Sequence, residues 1–131
     1  MSDLPHITQS EWNVMKVLWK KSPLTIMELV KNVQAEQKLV STTVKTLLRR
    51  LIAKDAVGFT IDEKNSKLYY YFPLVTEEEC VKKVNKQFLK QYHQDNVENL
   101  FATFVNSTDL SGEEIDHLRA LLEQKKAESN E

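Results

Sequence analysis

Cysteine, glycine and proline are scarce in this chain: one Cys, two Gly and three Pro among 131 residues. Each scarcity excludes something. A lone thiol, Cys80, forms neither an internal disulfide nor a multi-cysteine zinc site. Two glycines are too few for a Gly-rich phosphate loop, and neither GxGxxG nor GxxxxGK followed by Ser or Thr occurs. A sandwich or barrel of many short strands needs more turn residues, which argues against an all-β fold. No run approaches the roughly 18 apolar residues of a membrane-spanning helix. The opening Met1-Ser2-Asp3-Leu4-Pro5-His6 lacks the basic start and apolar centre of a secretory signal. The expected location is the cytoplasm, and a membrane is not an expected partner. No HExxH appears, and no Ser/His/Asp or Cys/His arrangement is legible from position. The chain is therefore not expected to be an enzyme or to need a cofactor or a metal.

What is present is charge, unevenly spread. Charged residues make up 28% and the net charge is −1. Residues 1–75 carry 11 Lys+Arg against 7 Asp+Glu, a net of +4. Residues 76–131 carry 7 against 12, a net of −5. A basic first part facing a polyanion, and an acidic second part facing protein or solvent, fit that division.

Capping boxes mark helix starts. Thr8-Gln9-Ser10-Glu11 precedes the stripe Trp12, Met15, Leu18, Trp19, which predicts a first helix over about 9–21, stopped by Pro23. Thr25-Ile26-Met27-Glu28 opens a second over about 26–36, with Ile26, Leu29, Val30 and Val33 as its apolar face. Ser41 is expected to cap a third helix over about 42–55, whose Val44, Leu47, Leu48, Leu51 and Ile52 follow the i, i+3, i+4, i+7, i+8 pattern. Thr76-Glu77-Glu78-Glu79 opens a long polar-rich helical stretch. Ser111-Gly112-Glu113-Glu114 opens a last helix ending near Lys126.

Between the third helix and residue 76 the period changes. Val57-Gly58-Phe59-Thr60-Ile61 alternates, and Leu68-Tyr69-Tyr70-Tyr71-Phe72 is aromatic and strand-prone. The polar connector from Asp62 to Lys67 makes the pair a β-hairpin. Tyr69 and Tyr71 fall on one strand face and Tyr70 on the other, with at least one face expected to pack on the third helix. The predicted class is mainly α with a small β-hairpin. It comprises a winged helix-turn-helix domain over 1–75 and a helical segment over 76–131.

On a helical wheel, Thr42, Thr46 and Arg49 lie opposite the apolar face of the third helix, flanked by Lys45 and Arg50. A major groove admits one helix, and Arg, Thr and Lys read base edges there. Hydroxyls of Ser41, Thr42, Thr43 and Thr46 suit phosphates or bases. Lys45, Arg49 and Arg50 suit phosphate neutralisation. Lys64 and Lys67 sit at the hairpin tip, within reach of the DNA backbone or minor groove. A merely solvated polar face is the competing reading, but threonine is not a preferred helix former. Cys80 reads as a small core residue. His117, with Glu113 and Glu114, reads as part of an amphipathic helix surface rather than a metal site.

The run from Glu11 to Trp19 resembles the first-helix signature of the penicillinase and methicillin-resistance repressors, which copper-transport operon repressors share. Thr43-Val44-Lys45-Thr46-Leu47-Leu48-Arg49-Arg50-Leu51 with Lys54 is similar to their recognition helix. Tyr69-Tyr70-Tyr71-Phe72-Pro73 is similar to their second wing strand. The segments 101–105 and 110–118 resemble their C-terminal dimerisation helices. The resemblance implies a homodimeric winged-helix repressor on an inverted repeat of TACA/TGTA type, with Thr43, Lys45, Thr46 and Arg49 at the DNA. Antibiotic-responsive members are cleaved at an Asn–Phe bond; the matching pair here is Thr103–Phe104. Copper-responsive members with a metal switch end in a Cys-x-Cys tail that this chain lacks.

The second segment calls for a partner on physical grounds. Phe88, Leu89, Tyr92, Val97, Leu100, Phe101, Phe104 and Val105, then Ile115, Leu118, Leu121 and Leu122, are more apolar surface than some fifty residues bury alone. A two-fold pairing with a second copy covers it and sets two recognition helices a whole number of DNA turns apart. The alternative function class is a winged-helix module that docks a protein and binds no specific DNA.

Overall fold

The computed structural model describes residues 4–130. Two compact units divide the chain, Met1–Val84 and Asn85–Glu131.

In the first unit, α1 (Gln9–Lys20) and α2 (Ile26–Glu36) both open on the expected capping boxes. In each, the Thr8 or Thr25 hydroxyl accepts from the N–H of Glu11 or Glu28, whose carboxylate accepts the threonine N–H in return. These exchanges satisfy helix-start donors that have no partner within the helix. The third helix, α3 (Ser41–Ala53), departs from expectation. Its cap is Val40, in extended backbone with no side-chain cap bond, and Ser41 is already helical. The Val40 carbonyl accepts from the N–H groups of Thr43 and Val44 at 3.0 and 3.1 Å. A β-branched residue favours that extended conformation, so the turn begins one residue before the serine. At the far end Asp55 adopts a left-handed conformation (φ 61°), and the Ala56 N–H returns to the Leu51 carbonyl at 2.9 Å. Asp tolerates that conformation better than most residues.

The wing is β1 (Val57–Ile61) paired antiparallel with β2 (Tyr69–Pro73), Phe59 opposite Tyr71. The turn after α1 joins its edge: Leu24 and Tyr71 exchange both backbone hydrogen bonds, at 3.0 and 2.8 Å. As a result β2 lies against α1 and α2, and β1 is the strand that meets α3. The expectation that a tyrosine face packs on the third helix is corrected accordingly. Tyr71 does reach the core; Tyr69 stacks on it, with ring centroids 6.3 Å apart, and lies tilted against Phe59 at 5.1 Å.

The core gathers the helical stripes. Val14, Met15, Val17 and Leu18 from α1, Leu29 and Val33 from α2, and Val44, Leu47, Leu48 and Leu51 from α3 are buried together with Leu24, Ala56 and Val57. Each large apolar side chain so buried contributes on the order of 2 kcal/mol. Helix, helix, helix, hairpin around one such core is the winged helix-turn-helix arrangement.

From the first unit α4 (Glu77–His93) runs on past Val84 into the second. It opens on the Thr76–Glu79 box, and Cys80 is buried near its start. Burial, with the Glu79 charge beside it, pushes the Cys80 thiol above its ordinary range. The helical stretch is not continuous. Gln94 and Asp95 take positive φ (47° and 62°), and Asn96 caps a separate α5 (Val97–Ser107) by accepting from the Asn99 N–H at 2.9 Å. The last helix, α6 (Gly112–Ser129), starts on the Ser111–Glu114 box and runs a turn beyond Lys126.

Candidate nucleic-acid interface

The apolar face of α3 is spent on the core, so its remaining faces are set by geometry. Thr42, Thr43, Lys45, Arg49 and Arg50 are exposed, and Ser41 and Thr46 are half-buried. Along the outward face the residues support one another. The Thr46 hydroxyl donates to the Thr42 carbonyl at 2.9 Å, and an Arg49 Nη2 donates to the Thr46 hydroxyl at 3.3 Å. No acidic residue occurs within α3. Three cations with no carboxylate on one helix form a surface that favours phosphate.

Two features on the flank of α3 escaped the sequence reading. Met27, Lys31 and Gln34 stand one helical turn apart on the open face of α2 and, with Ser41 and Lys45, line a shallow groove between the two helices. Met27 is 81% exposed, and Val40 at the start of α3 is 64% exposed. The i, i+4, i+7 spacing of Met27, Lys31 and Gln34 was available as a signal. It is opposite in phase to the buried stripe and so reads, by pattern alone, as ordinary solvated surface.

Lys54 does not join this basic face. Its ammonium turns inward, 2.6 Å from Glu11 Oε1 and 2.7 Å from the His6 carbonyl. Glu11 is 1% exposed and is the one buried charged residue among the described residues. Burial, the largest influence, raises its pKa. The hydrogen bonds from Lys54 and Thr8 and the Lys54 charge outweigh it, so the carboxyl is held below its ordinary 4.5. This pair clamps the end of α3 to the start of α1.

The wing tip is ordered by its own side chains. Asp62 Oδ2 accepts from the N–H groups of Lys64 and Asn65, both at 3.0 Å, and Asn65 Oδ1 accepts from the Lys67 N–H at 3.1 Å. Lys64 and Lys67 are both exposed on that loop, and their backbone is held in an Asx-type turn.

In the second unit the expected partner-seeking residues are grouped but uncovered. Phe88, Leu89, Val97, Leu100, Phe101 and Phe104 line an apolar cavity of about 510 Å³ between the end of α4 and α5. Tyr92 and Val105, and on α6 Ile115, Leu118, Leu121 and Leu122, are exposed, the last two above 60%. Neither α5 nor α6 has a buried residue. Among the described residues no group of His, Cys, Asp and Glu is placed to hold a metal ion, and no helix is long and apolar enough to cross a membrane.

Comparison with known proteins bears on this geometry. A sequence model described as penicillinase repressor matches residues 7–124. The chain belongs to the penicillinase repressor family. Among its relatives, the penicillinase repressor of Bacillus licheniformis is 30% identical over 131 residues, spanning 100% of both chains. The methicillin resistance regulatory protein MecI of Mammaliicoccus sciuri is 31% identical over 119 residues, covering 91% of this chain and 94% of that relative. Among solved structures, the Bacillus licheniformis BlaI monomeric form in complex with the blaP half-operator has a TM-score of 0.51 at 30% identity. That match covers 60% of this chain and 93% of that chain. A Staphylococcus aureus MepR mutant, at TM-score 0.53 and 21% identity over 95% of this chain and 81% of that one, shares the fold.

Proposed function

We propose that this chain is a DNA-binding transcriptional repressor of a resistance operon, acting in the cytoplasm as a homodimer on an inverted-repeat operator. The observation that carries the reading is the outward face of α3, with exposed Lys45, Arg49 and Arg50 and no acidic residue. It sits on a family member whose relative BlaI is seen with a half-operator. Residues 1–75 supply the DNA-binding domain and residues 76–131 the dimerisation segment. Ser41, Thr42, Thr43, Lys45, Thr46 and Arg49 face the major groove, Arg50 a flanking phosphate, and Lys64 and Lys67 the backbone beside the wing. Base edges set sequence preference and phosphates set position. The apolar faces of α4, α5 and α6 pair with those of a second copy, which raises affinity by delivering the second winged helix at high effective concentration. The mechanism is steric: the dimer occupies a dyad overlapping a promoter and excludes polymerase. No catalytic step and no bound cofactor enters. A metal-homeostasis operon is the second candidate for the genes controlled.

The test is fluorescence anisotropy of the purified chain on a duplex carrying a TACA…TGTA inverted repeat, against a scrambled duplex, across a salt series. Tight, sequence-selective binding that weakens steeply with salt is expected. Absence of binding even at low salt overturns the proposal in favour of a protein-docking module.

A further inference from the structure

The segment preceding α1 is gripped from two sides. Ile7 packs on the core, and Leu4 and Pro5 are half-buried. Lys54, at the end of α3, donates to the His6 carbonyl at 2.7 Å. Lys83, in α4, donates to the Leu4 carbonyl. The two accepting carbonyls are two residues apart in non-helical backbone. One short stretch therefore receives an ammonium from the recognition helix and another from the helix that leaves the winged domain. All of these residues lie in the first compact unit, and α4 is where the chain passes from that unit to the next. The α1 start has its own capping box, so neither lysine is needed to complete it. On the connector side, the Trp19 indole N–H donates to the Val75 carbonyl at 2.9 Å, just before α4 begins.

We propose that residues 4–7 form a strap tying the end of the recognition helix to the root of α4. Lys83 is its positioning residue for binding a two-fold operator. The proposal rests on the repressor reading above. A dimer gains from its second half-site only when both winged helices reach their sites together. A loosened α4 root spreads the orientation of each winged helix about the helix that links it to the dimer, which lowers that effective concentration. A single half-site engages one winged helix and is indifferent to the α4 root. An ammonium on a carbonyl is a charge-assisted bond, among the stronger kinds, and an arginine in its place retains it.

The experiment uses the full chain as wild type, Lys83→Met and Lys83→Arg. Each is titrated by anisotropy onto a single half-site, onto the complete inverted repeat, and onto the same repeat with its spacer lengthened or shortened by a base pair. Melting temperature is recorded alongside. Lys83→Met is expected to melt a few degrees lower, to keep the wild-type half-site affinity and to lose about tenfold on the complete repeat. Its discrimination between correct and altered spacers narrows, and Lys83→Arg restores both. Equal losses on half-site and complete repeat make Lys83 a direct phosphate contact and overturn the strap. So does unchanged affinity for the complete repeat. A lowered melting temperature in Lys83→Met with no rescue of spacer discrimination by Lys83→Arg assigns Lys83 to stability alone and also overturns it. Failure of the wild type to bind any duplex instead sinks the repressor reading itself, and the strap's operator role with it.

Discussion

Lys54 Nζ lies 2.6 Å from Glu11 Oε1 across 43 residues of chain, and that contact joins the end of α3 to the start of α1. Removing the ammonium strands a buried carboxylate. Lys54→Met is expected to cost about 3 kcal/mol, measured by urea denaturation. The double variant Glu11→Gln with Lys54→Met is expected to recover part of that loss. Equal stability of Lys54→Met and wild type would show that the pair contributes nothing.

Acid should weaken the fold through the same carboxyl. Glu11 is held below 4.5 in the folded chain despite the burial that raises it. The unfolded chain therefore binds its proton first as the pH falls. The contribution is complete above the ordinary carboxylate value and is lost as the pH falls through the depressed folded value. Denaturation midpoints compared above and below pH 4.5 should drop on the acid side, and Glu11→Gln should show a shallower drop. Identical acid profiles for the two would remove Glu11 as the cause.

Arg49 stands exposed beside Thr46 on a face without carboxylates. Arg49→Ala is expected to weaken operator binding by about 2 kcal/mol and to relax preference at the bases it meets. Arg50→Ala, at the flanking phosphate, should instead weaken operator and scrambled duplex alike and lower the salt slope by about one. Anisotropy across a salt series separates the two outcomes.

Phe104 is half-exposed beside an apolar cavity of about 510 Å³ in the second unit. A charge there should oppose burial against a second copy. Phe104→Asp is expected to shift sedimentation toward the monomer and to weaken the complete operator more than a half-site. Unchanged sedimentation and unchanged binding would remove the dimer from the proposed mechanism.

Asn96 caps α5 by accepting the Asn99 N–H at 2.9 Å. Asn96→Ala is expected to cost about 1 kcal/mol, seen as a lower melting temperature with half-site affinity intact. No change in melting would mean that α5 does not depend on this cap.

Much of this architecture was written in local patterns. The threonine boxes before α1, α2 and α4 and the serine box before α6 lie within four residues, and a capping exchange needs nothing more distant. The stripes of α1, α2 and α3 were legible because a helix buries one face at a fixed period. The α3 start was misread, since a serine rule ignores the extended preference of Val40. The break at 94–96 was missed although Asn96 was there to be read as a cap. Polar residues ran through it, and the positive φ values of Gln94 and Asp95 leave no trace in hydropathy. Family resemblance, carried by α3 and the wing, pointed to the same candidate DNA-binding residues as the wheel.

By itself, then, the sequence determined the boxed starts of α1, α2, α4 and α6, the hairpin, the stripe that became the core, and the acid-free face of α3, because each depends on neighbours within a turn or two. Only tertiary structure decided which cations stay outside. Lys45 within α3 and Lys54 just past its end look alike in the sequence, yet one stands in solvent and the other is drawn to Glu11 and the His6 carbonyl. Nor could spacing show that Lys83 would meet Leu4 across 79 residues, or that the second strand would lie against α1 and α2 rather than α3. These are long-range pairings, set by how the packed core brings distant segments together, and no periodicity along the chain encodes them.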